Sequence, residues 1–513
     1  MPEHWLLYGF LAIVAILAIV VVYDLTQRKH AILKNFPIVG HFRYWLEAVG
    51  PELRQYIVTD NDEERPFTRD QRRWIYTSAK RVNTYFGFGT DNDLDLSSHY
   101  IIIKHSAFPL NPSPHPKDYI YPLPCAKILG GPRGRKHAFR PASIVNVSGM
   151  SFGSLSGPAV EALNRGSAIA NCLQNTGEGG ISPYHQKGGE LIWQIGTGYF
   201  GCRAEDGGFD LELFKAAVAA NPVRAIEVKL SQGAKPGLGG MLPAAKISAE
   251  IAAIRGIPRG QDCASPCAHT VFRDVDSMLD FVELLASETG LPIGIKSAVG
   301  DLNFWIDLAT QMASRQRGVD FITIDGGEGG TGAAPLAFSD HVSLPFRIGF
   351  ARVYRIFAER GLATDIVWIG SGRLGFPETS MLAMALGCDM INVGREAMIS
   401  IGCIQAQRCH TDHCPTGVAT QNKWLIRGLD PHDKSARLAN YICSLRKEMM
   451  QLSHACGEPH PAFVTADRFD ILDGAWRANG ALDVFHYEPD WGKPALQDQE
   501  ALRTILASEG QPN

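Results

Sequence analysis

Phe321-Ile322-Thr323-Ile324-Asp325-Gly326-Gly327-Glu328-Gly329-Gly330-Thr331-Gly332 joins a short apolar strand directly to a run of glycines. An apolar strand without alternation is buried on both faces, as in a parallel sheet. The unit repeats outward in both directions. Upstream, strands are expected at Ser143–Val147, Ala225–Leu230 and Pro292–Ser297, with helices at Gly157–Ala170, Asp210–Ala220, Asp274–Thr289 and Asn303–Arg317. Downstream, strands at Ile366–Gly370 and Met390–Val393 alternate with helices at Phe346–Arg360, Pro377–Leu386 and Glu396–Ile401. Strands alternating with helices of this length imply parallel pairing. Seven or so such units favour a closed (β/α)8 TIM barrel over an open doubly wound sheet.

A barrel of this kind carries its chemistry at the C-terminal ends of its strands. The first strand ends in Ser148-Gly149-Met150-Ser151-Phe152-Gly153, where small residues let the backbone approach a flat ring. Lys296 directs a cation toward the barrel mouth, where a buried lysine needs an anionic partner. Three glycine-rich strand ends follow: Gly326–Gly332 with Gly329 and Gly330, Gly370-Ser371-Gly372-Arg373, and Gly394-Arg395. Alone, each reads as a tight turn. In barrel order behind Lys296, they point to a phosphorylated cofactor. FMN fits, because no strand is followed by G-x-G-x-x-G together with an acidic residue about 20 positions further on, as a dinucleotide requires.

Two more glycine-rich stretches bear polar groups: Asn175–Gly180, with Asn175 and Glu178, and Glu227–Gly237, with Lys229, Gln232 and Lys235. Asn175 and Gln232 are assigned to the flavin site, and Glu178, Lys229 and Lys235 to the reaction. Two lysines at one strand end suit a dicarboxylate, although solvent exposure is the default for lysine.

Cys403-x5-Cys409-x4-Cys414 follows the last barrel unit. Thiolates this close together suggest a metal or iron–sulfur site. Zinc with three cysteines and His410 or His413 is one reading; an iron–sulfur cluster lacking one iron is the other. Cys263 and Cys267 form a pair without further partners and read as packing or thiol residues.

The 513 residues are 45% hydrophobic and 20% charged, enough for one large barrel with extra segments. A net charge of −4 provides no basic field for nucleic acid. Eleven irregularly spaced cysteines fit a reducing compartment. Trp5–Tyr23 is a run of 19 residues without a charge, long enough to nearly span a ~30 Å hydrocarbon core. No Lys or Arg precedes it and no small-x-small site follows, which argues against a cleaved signal peptide. Arg28, Lys29, Lys34 and Arg43 lie on its C-terminal side, so a single-pass anchor with a cytoplasmic catalytic domain is expected. The expected division is an anchor over 1–27, an N-terminal extension and linker over 28–140, the barrel with its cysteine loop over 141–455, and a C-terminal extension over 456–513. The extension includes a Pro-rich stretch, Pro109–Pro124, expected to cross a surface. A helix is expected at Ala436–Ser453 and a peripheral tail over Glu488–Asn513.

Together, SGMSFGSLS, NTGEGG, EVKLSQGAKPG, GGEGGTGAAP and GCIQAQRCHTDHCPTGVATQ resemble, in order and spacing, the FMN-binding synthase domain of glutamate synthase. The resemblance covers roughly residues 140–450. It implies a (β/α)8 barrel holding FMN, with a [3Fe-4S] cluster on Cys403, Cys409 and Cys414. It implies that electrons pass from the cluster to FMN and reduce 2-iminoglutarate, formed from 2-oxoglutarate and ammonia, to L-glutamate. It matches Lys229 and Lys235 to the 2-oxoglutarate site and Lys296 to the flavin. The chain departs from the family in having no amidotransferase domain with its leading cysteine, Cys125 being its first, and no room for the C-terminal β-helix. It has Leu238 and Met241 where the family carries Glu and Gln. Loss of a polar group that binds substrate can cost about 10⁴-fold in discrimination. The resemblance is therefore to a stand-alone, membrane-tethered branch. Its nitrogen would come from free ammonia, a separate amidotransferase or an alkylamine, and its electrons from ferredoxin or another donor subunit. Two alternatives stand beside this reading: N-alkylglutamate formation or another reductive amination, and a cofactor-bearing electron-transfer subunit.

Overall fold

The computed structural model describes residues 2–27, 29–85, 87–94, 97–111 and 119–508. Arg28, the middle of the Pro-rich stretch and the last residues of the C-terminal tail lie outside the described residues. The chain forms two compact units, Met1–Asp70 and Gln71–Asn513.

The first unit is helical. Its opening helix, Pro2–Thr26, contains one segment, His4–Thr26, long and apolar enough to cross a membrane. Shorter helices follow at Ala31–Asn35 and Gly40–Leu53.

The second unit is built on a closed barrel of eight parallel strands. They are β1 Val145–Val147, β2 Gln174–Asn175, β3 Leu191–Ile195, β4 Val223–Lys229, β5 Ile293–Ser297, β6 Phe321–Asp325, β7 Val367–Ser371 and β8 Met390–Val393. Each pairs with its sequence neighbour, and β8 closes onto β1 through Ile391 opposite Val145 and Val393 opposite Val147. The order follows the chain because each strand returns beside its predecessor through a right-handed crossover. Six strands lie within a residue or two of the sequence expectation. Two, β2 and β3, were not expected, and they complete the ring.

Helix ends follow local chemistry. Ser156 caps Gly157–Ala170 by accepting from Ala159 N at 3.3 Å. Asp274 and Ser277 cap Val275–Thr289 reciprocally, and Gly290, with φ of 70°, ends it in the left-handed conformation that glycine adopts at little cost. The helix expected to reach Arg317 stops at Met312. Arg315 turns left-handed there (φ 59°), and Arg317 pairs with Asp276 and Asp280 on the neighbouring helix.

The segment expected to be a linker is structural. Residues 123–141 fold under the barrel, with Leu129 paired to Phe139 and Cys125 N donating to Pro141 O at 2.9 Å. Cys125 and Leu129 pack with Leu173, Ile192, Ala225, Phe321, Val367, Ile369 and Met390, most of them at or near strand starts, and so plug the barrel floor. Gly294 on β5 is small because the Phe321 ring fills the space a Cβ would take. Further out, Ser98–Ile103 pairs antiparallel with Phe469–Asp473, which pairs with Ala478–Gly480. The helix Pro431–Ala455 packs on Gly157–Ala170, with Gly166 pressed against Leu438.

The plug is tied to β8 by a buried ion pair. Lys127 Nζ lies 3.0 Å from Asp389 Oδ2 and also donates to Ala363 O and Ile366 O. Asp389 in turn accepts from Trp368 N at 2.8 Å. Removing one charge of such a pair strands the other. Asp389→Asn, which keeps the shape, should therefore destabilise the unit by about 3–5 kcal/mol, read as a lower urea midpoint at unchanged slope.

Candidate functional site

Alternation along β4 sends Ala225, Glu227 and Lys229 to the same side. Glu227 is fully buried. Its Oε1 accepts from Asn175 Nδ2 on β2 at 2.7 Å and from Gln194 Nε2 on β3 at 2.6 Å. Its Oε2 accepts from Thr323 Oγ1 on β6 at 2.6 Å. A buried carboxylate is tolerable only when paired in this way. Beside it on β5, Lys296 Nζ lies 3.5 Å from Asp325 Oδ2 at the end of β6. Burial alone would weaken the Lys296 ammonium, but Asp325 and Glu227 overcome it and raise its pKa. The anionic partner of Lys296 is thus supplied by the protein itself. Asp325 Oδ2 also accepts from Gly233 N at 2.9 Å, which anchors the loop after β4.

That loop carries the next layer. Lys229 Nζ lies 3.1 Å from Glu178 Oε1 and 3.2 Å from Gln232 Oε1. Gln232 Nε2 donates to Gly330 O at 3.0 Å, and Lys235 Nζ donates to Gly239 O at 3.0 Å. Both lysines are buried, contrary to the default for the residue. Burial lowers the Lys235 pKa; Glu178 partly restores it, and Lys229 lowers it further. Glu178 sits between Gly196 and Gly240, where a Cβ on either would come within 2.7 Å of a carboxylate oxygen. Burial would raise its pKa, but Lys229, Lys235 and Arg255 hold it below the ordinary value, so the carboxylate stays ionised.

Sequence reasoning missed Glu227, Gln194, Asp325, Arg255 and His269. Arg255 donates to Phe152 O at 3.2 Å and lies over the Phe200 ring, while its Nε is buried without a partner. His269 bonds Lys229 O through Nε2 at 2.9 Å and Tyr199 Oη through Nδ1 at 3.2 Å. Burial pushes its pKa down to about 4, so it is neutral near pH 7. At the rim, Lys229, Lys235 and Arg255 outnumber Glu178, an arrangement able to hold an acidic small molecule.

The remaining expected residues, Gly370 apart, converge on the same face. A Cβ on Gly149 would lie 2.8 Å from Asn175 Oδ1, and one on Gly177 would lie 2.6 Å from Ser151 N, so the Gly149-Met150-Ser151 turn is seated on the β2 end. Gly326 N donates to Ser371 O at 2.8 Å, and Gly372 abuts Gly326. Arg395 donates to Glu328 O, and its Cδ occupies the place beside Gly330. Gly394 faces the Cβ of Ser148. The loops after β1, β6, β7 and β8 thus meet, bringing together Gly149, Gly329, Gly330, Gly372, Gly394 and Arg395. Gly370, by contrast, lies within β7 and faces Phe346, Leu374 and Cys388 on the helix side, because alternation turns it away from the barrel interior.

Cys403, Cys409 and Cys414 occupy one loop after the helix Arg395–Ser400. Burial pushes the Cys403 thiol up to about 12. Burial also raises Cys414, but N–H groups of Ala419, Thr416 and Val418 and the Thr416 hydroxyl more than compensate, leaving its pKa below the ordinary thiol value. Lys246 Nζ ties the loop through Cys409 O at 2.7 Å and Ala419 O at 2.9 Å, and Tyr76 Oη donates to Cys403 O at 2.9 Å. A Cβ on Gly332 would lie 3.3 Å from Cys409 Cβ, so the cysteine loop touches the β6 glycine loop. Among the described residues no three His, Cys, Asp or Glu side chains stand at metal-ligand spacing. His410 and His413 are exposed, and His413 Nδ1 bonds Thr411 O at 2.7 Å. Cys263 is buried and Cys267 exposed.

The conserved region in glutamate synthase matches residues 134–458. The glutamate synthase large subunit-like protein YerD of Bacillus subtilis is 36% identical over 486 residues, covering 88% of this chain and 92% of that one. The archaeal glutamate synthase [NADPH] of Methanocaldococcus jannaschii is 35% identical over 319 residues, 61% of this chain; the match spans only 59% of the archaeal protein. A glutamate synthase large subunit-like protein of Rhizobium meliloti is 30% identical over 349 residues, 64% of this chain and 75% of that one.

Glu227→Gln tests the inner layer. The amide puts an NH2 among three donors and removes a charge beside Lys296. The expected outcome is a loss of about 1–3 kcal/mol in stability, seen as a lower melting temperature, whereas Glu227→Asp should retain more of it.

Proposed function

The chain belongs to the glutamate synthase family, and we propose that it is a membrane-anchored, FMN- and iron–sulfur-dependent oxidoreductase that reduces 2-iminoglutarate, formed from 2-oxoglutarate and ammonia, to L-glutamate. The observation that carries this reading is the contact of Gly332 with Cys409. It sets a three-cysteine loop against the glycine loop of a site whose other wall bears Lys229, Lys235 and Arg255.

The residues fit FMN. Gly149 lies close against Asn175, leaving room for a flat ring against the backbone, while Gly329, Gly330, Gly372, Gly394 and Arg395 gather where a phosphate would be held. Lys296 would place a retained positive charge near the ring, and Gln232 and Met150–Ser151 would line it. The cysteine loop fits a thiolate-bound cluster through the N–H groups aimed at Cys414 and the tie from Lys246. When bound, FMN supplies hydride chemistry and the [3Fe-4S] cluster single-electron transfer.

The chain's own groups do the rest. Lys235 and Arg255 would hold the carboxylates of the oxo acid. Glu178 stays ionised and orients Lys229. Lys235, more acidic than an ordinary lysine, is suited to protonate the hydroxyl of the adduct formed when ammonia adds to the oxo-acid carbonyl, so that this oxygen leaves as water and the C=N bond forms. Residues 1–27 would anchor the protein with its catalytic domain in the cytoplasm. Electrons would come from ferredoxin or another donor subunit, and nitrogen from ammonia or a separate amidotransferase.

The test is an anaerobic reductant titration of the full-length protein, followed by optical and EPR spectra and by mixing with 2-oxoglutarate and ammonium. The expected outcome is flavin reoxidation with glutamate formed. Cys414→Ser should keep flavin absorbance and lose the cluster signal. A flavin that stays reduced would overturn the substrate assignment.

A second reading is favoured by Met241. It is 46% exposed and pairs with Ala264 immediately after Gly240, the residue that abuts Glu178. An apolar side chain there suits an alkylamine as the nitrogen donor. On that reading Met241→Gln should raise kcat/KM with ammonium relative to methylamine, and an unchanged ratio would remove Met241 as the determinant.

A further inference from the structure

The unit Met1–Asp70 contains a second apolar surface besides its opening helix. The helix Gly40–Leu53 continues through the turn Arg54–Val58. Val39, Phe42, Leu46, Leu53 and Ile57 recur at spacings of three, four or seven residues, so they share one stripe. All five are exposed, Val39 and Ile57 at 73% and Phe42 at 60%. Trp45 adds to the stripe, stacked on Phe42 with ring centroids 5.7 Å apart. Away from the stripe, Tyr44 meets His30 edge to face and Ala48 is exposed. Gly40 packs on Leu33, and Arg43 pairs with Glu47 at 2.8 Å along the edge of the stripe. A continuous exposed stripe of large apolar residues marks a site of protein or membrane contact.

The elbow before this helix shows which. Asp24, near the end of the apolar segment His4–Thr26, is completely buried. Its carboxylate accepts from Ile38 N at 2.9 Å and bonds His41 Nε2 at 2.8 Å. The start of the second helix is therefore pinned to the end of the first. Lys29 and Lys34 lie on the connection, and both are exposed. A bilayer that holds the first helix must place its surface at this elbow. There, cations meet headgroups and aromatic side chains settle at the interface.

We propose that the helix Gly40–Leu53 lies in the plane of the membrane surface, with the Val39–Phe42–Leu46–Leu53 stripe in the headgroup–acyl boundary, the Arg43–Glu47 pair at headgroup level along its edge, and Ala48 on the water side. The inference rests on reading His4–Thr26 as a span. The occupant of the stripe is lipid, because the stripe continues from the span through a fixed elbow and is flanked by lysines. A second copy of the chain is the competing occupant.

The test places the photo-crosslinker p-benzoylphenylalanine at Tyr8, Phe42, Trp45 or Ala48 of the full-length protein in nanodiscs of phosphatidylcholine and phosphatidylglycerol, and identifies adducts by mass spectrometry. Lipid adducts at Tyr8, Phe42 and Trp45, and their loss at Ala48, are the expected result. Lipid capture at Tyr8 with only protein adducts, or none, at Phe42 and Trp45 overturns the surface helix and leaves the span standing. Lipid capture at Phe42 and Trp45 without capture at Tyr8 keeps the surface helix and removes the span.

Discussion

The site depends on a carboxylate sealed inside the barrel. Glu227 is inaccessible to water, so its environment must supply hydrogen-bond partners for both side-chain oxygens. Three come from three strands, Asn175, Gln194 and Thr323, with the Lys296 ammonium close by. These partners fix which residues of β2, β3 and β6 face inward at the upper layer. A one-residue slip in any of them would turn its donor away from the core and leave Glu227 short. The same order passes outward. Lys296 pairs with Asp325, Asp325 holds Gly233, and the loop beyond Gly233 presents Lys235 while Gln232 reaches Gly330. Core electrostatics and rim geometry are thus one connected network.

The rim is shaped by what is missing from it. Glu178 fits only because Gly196 and Gly240 have no side chains. Held there, it draws in Lys229 and keeps the cations from repelling one another outright. The cluster is strained toward a net positive charge, which burial makes costly. An acidic group placed among Lys229, Lys235 and Arg255 would relieve that cost.

Much of this was legible in the sequence, for a physical reason. Barrel strands buried on both faces leave an apolar signature, and the chemistry collects at their ends, so the glycine-rich ends after β1, β6, β7 and β8 could be read in order. The cysteine loop was legible from spacing. The strand β2 was not. Gln174–Asn175 is two polar residues long and spends Asn175 on the Glu227 network, so no apolar run announces it; β3, with Leu191, Ile192, Trp193 and Ile195, does carry the apolar signature and was readable. The barrel plug was hidden by its prolines and glycines, which read as surface punctuation although Cys125 and Leu129 are buried. Arg255 and His269 lie on connections far in sequence from Glu178 and Lys229, and only the closed barrel brings them to one face.

The segment from Leu238 to Lys246 joins the two chemical halves of the molecule. Gly239 lies so close to Ser265 that no side chain fits, and Met241 pairs with Ala264, so this segment forms a small flap of its own beside Glu178. A few residues later the same segment buries Lys246, whose ammonium bonds two carbonyls of the cysteine loop. One short stretch of chain thus borders the Glu178–Lys229 rim on one side and braces the cysteine loop on the other. Lys246 is committed, since withdrawing it would leave two buried carbonyls without a donor. Met241 is exposed and bonded through its backbone alone, so its side chain is free to change. Met241 therefore lies on the face of the flap where a side chain can change while the brace on the cysteine loop stays in place.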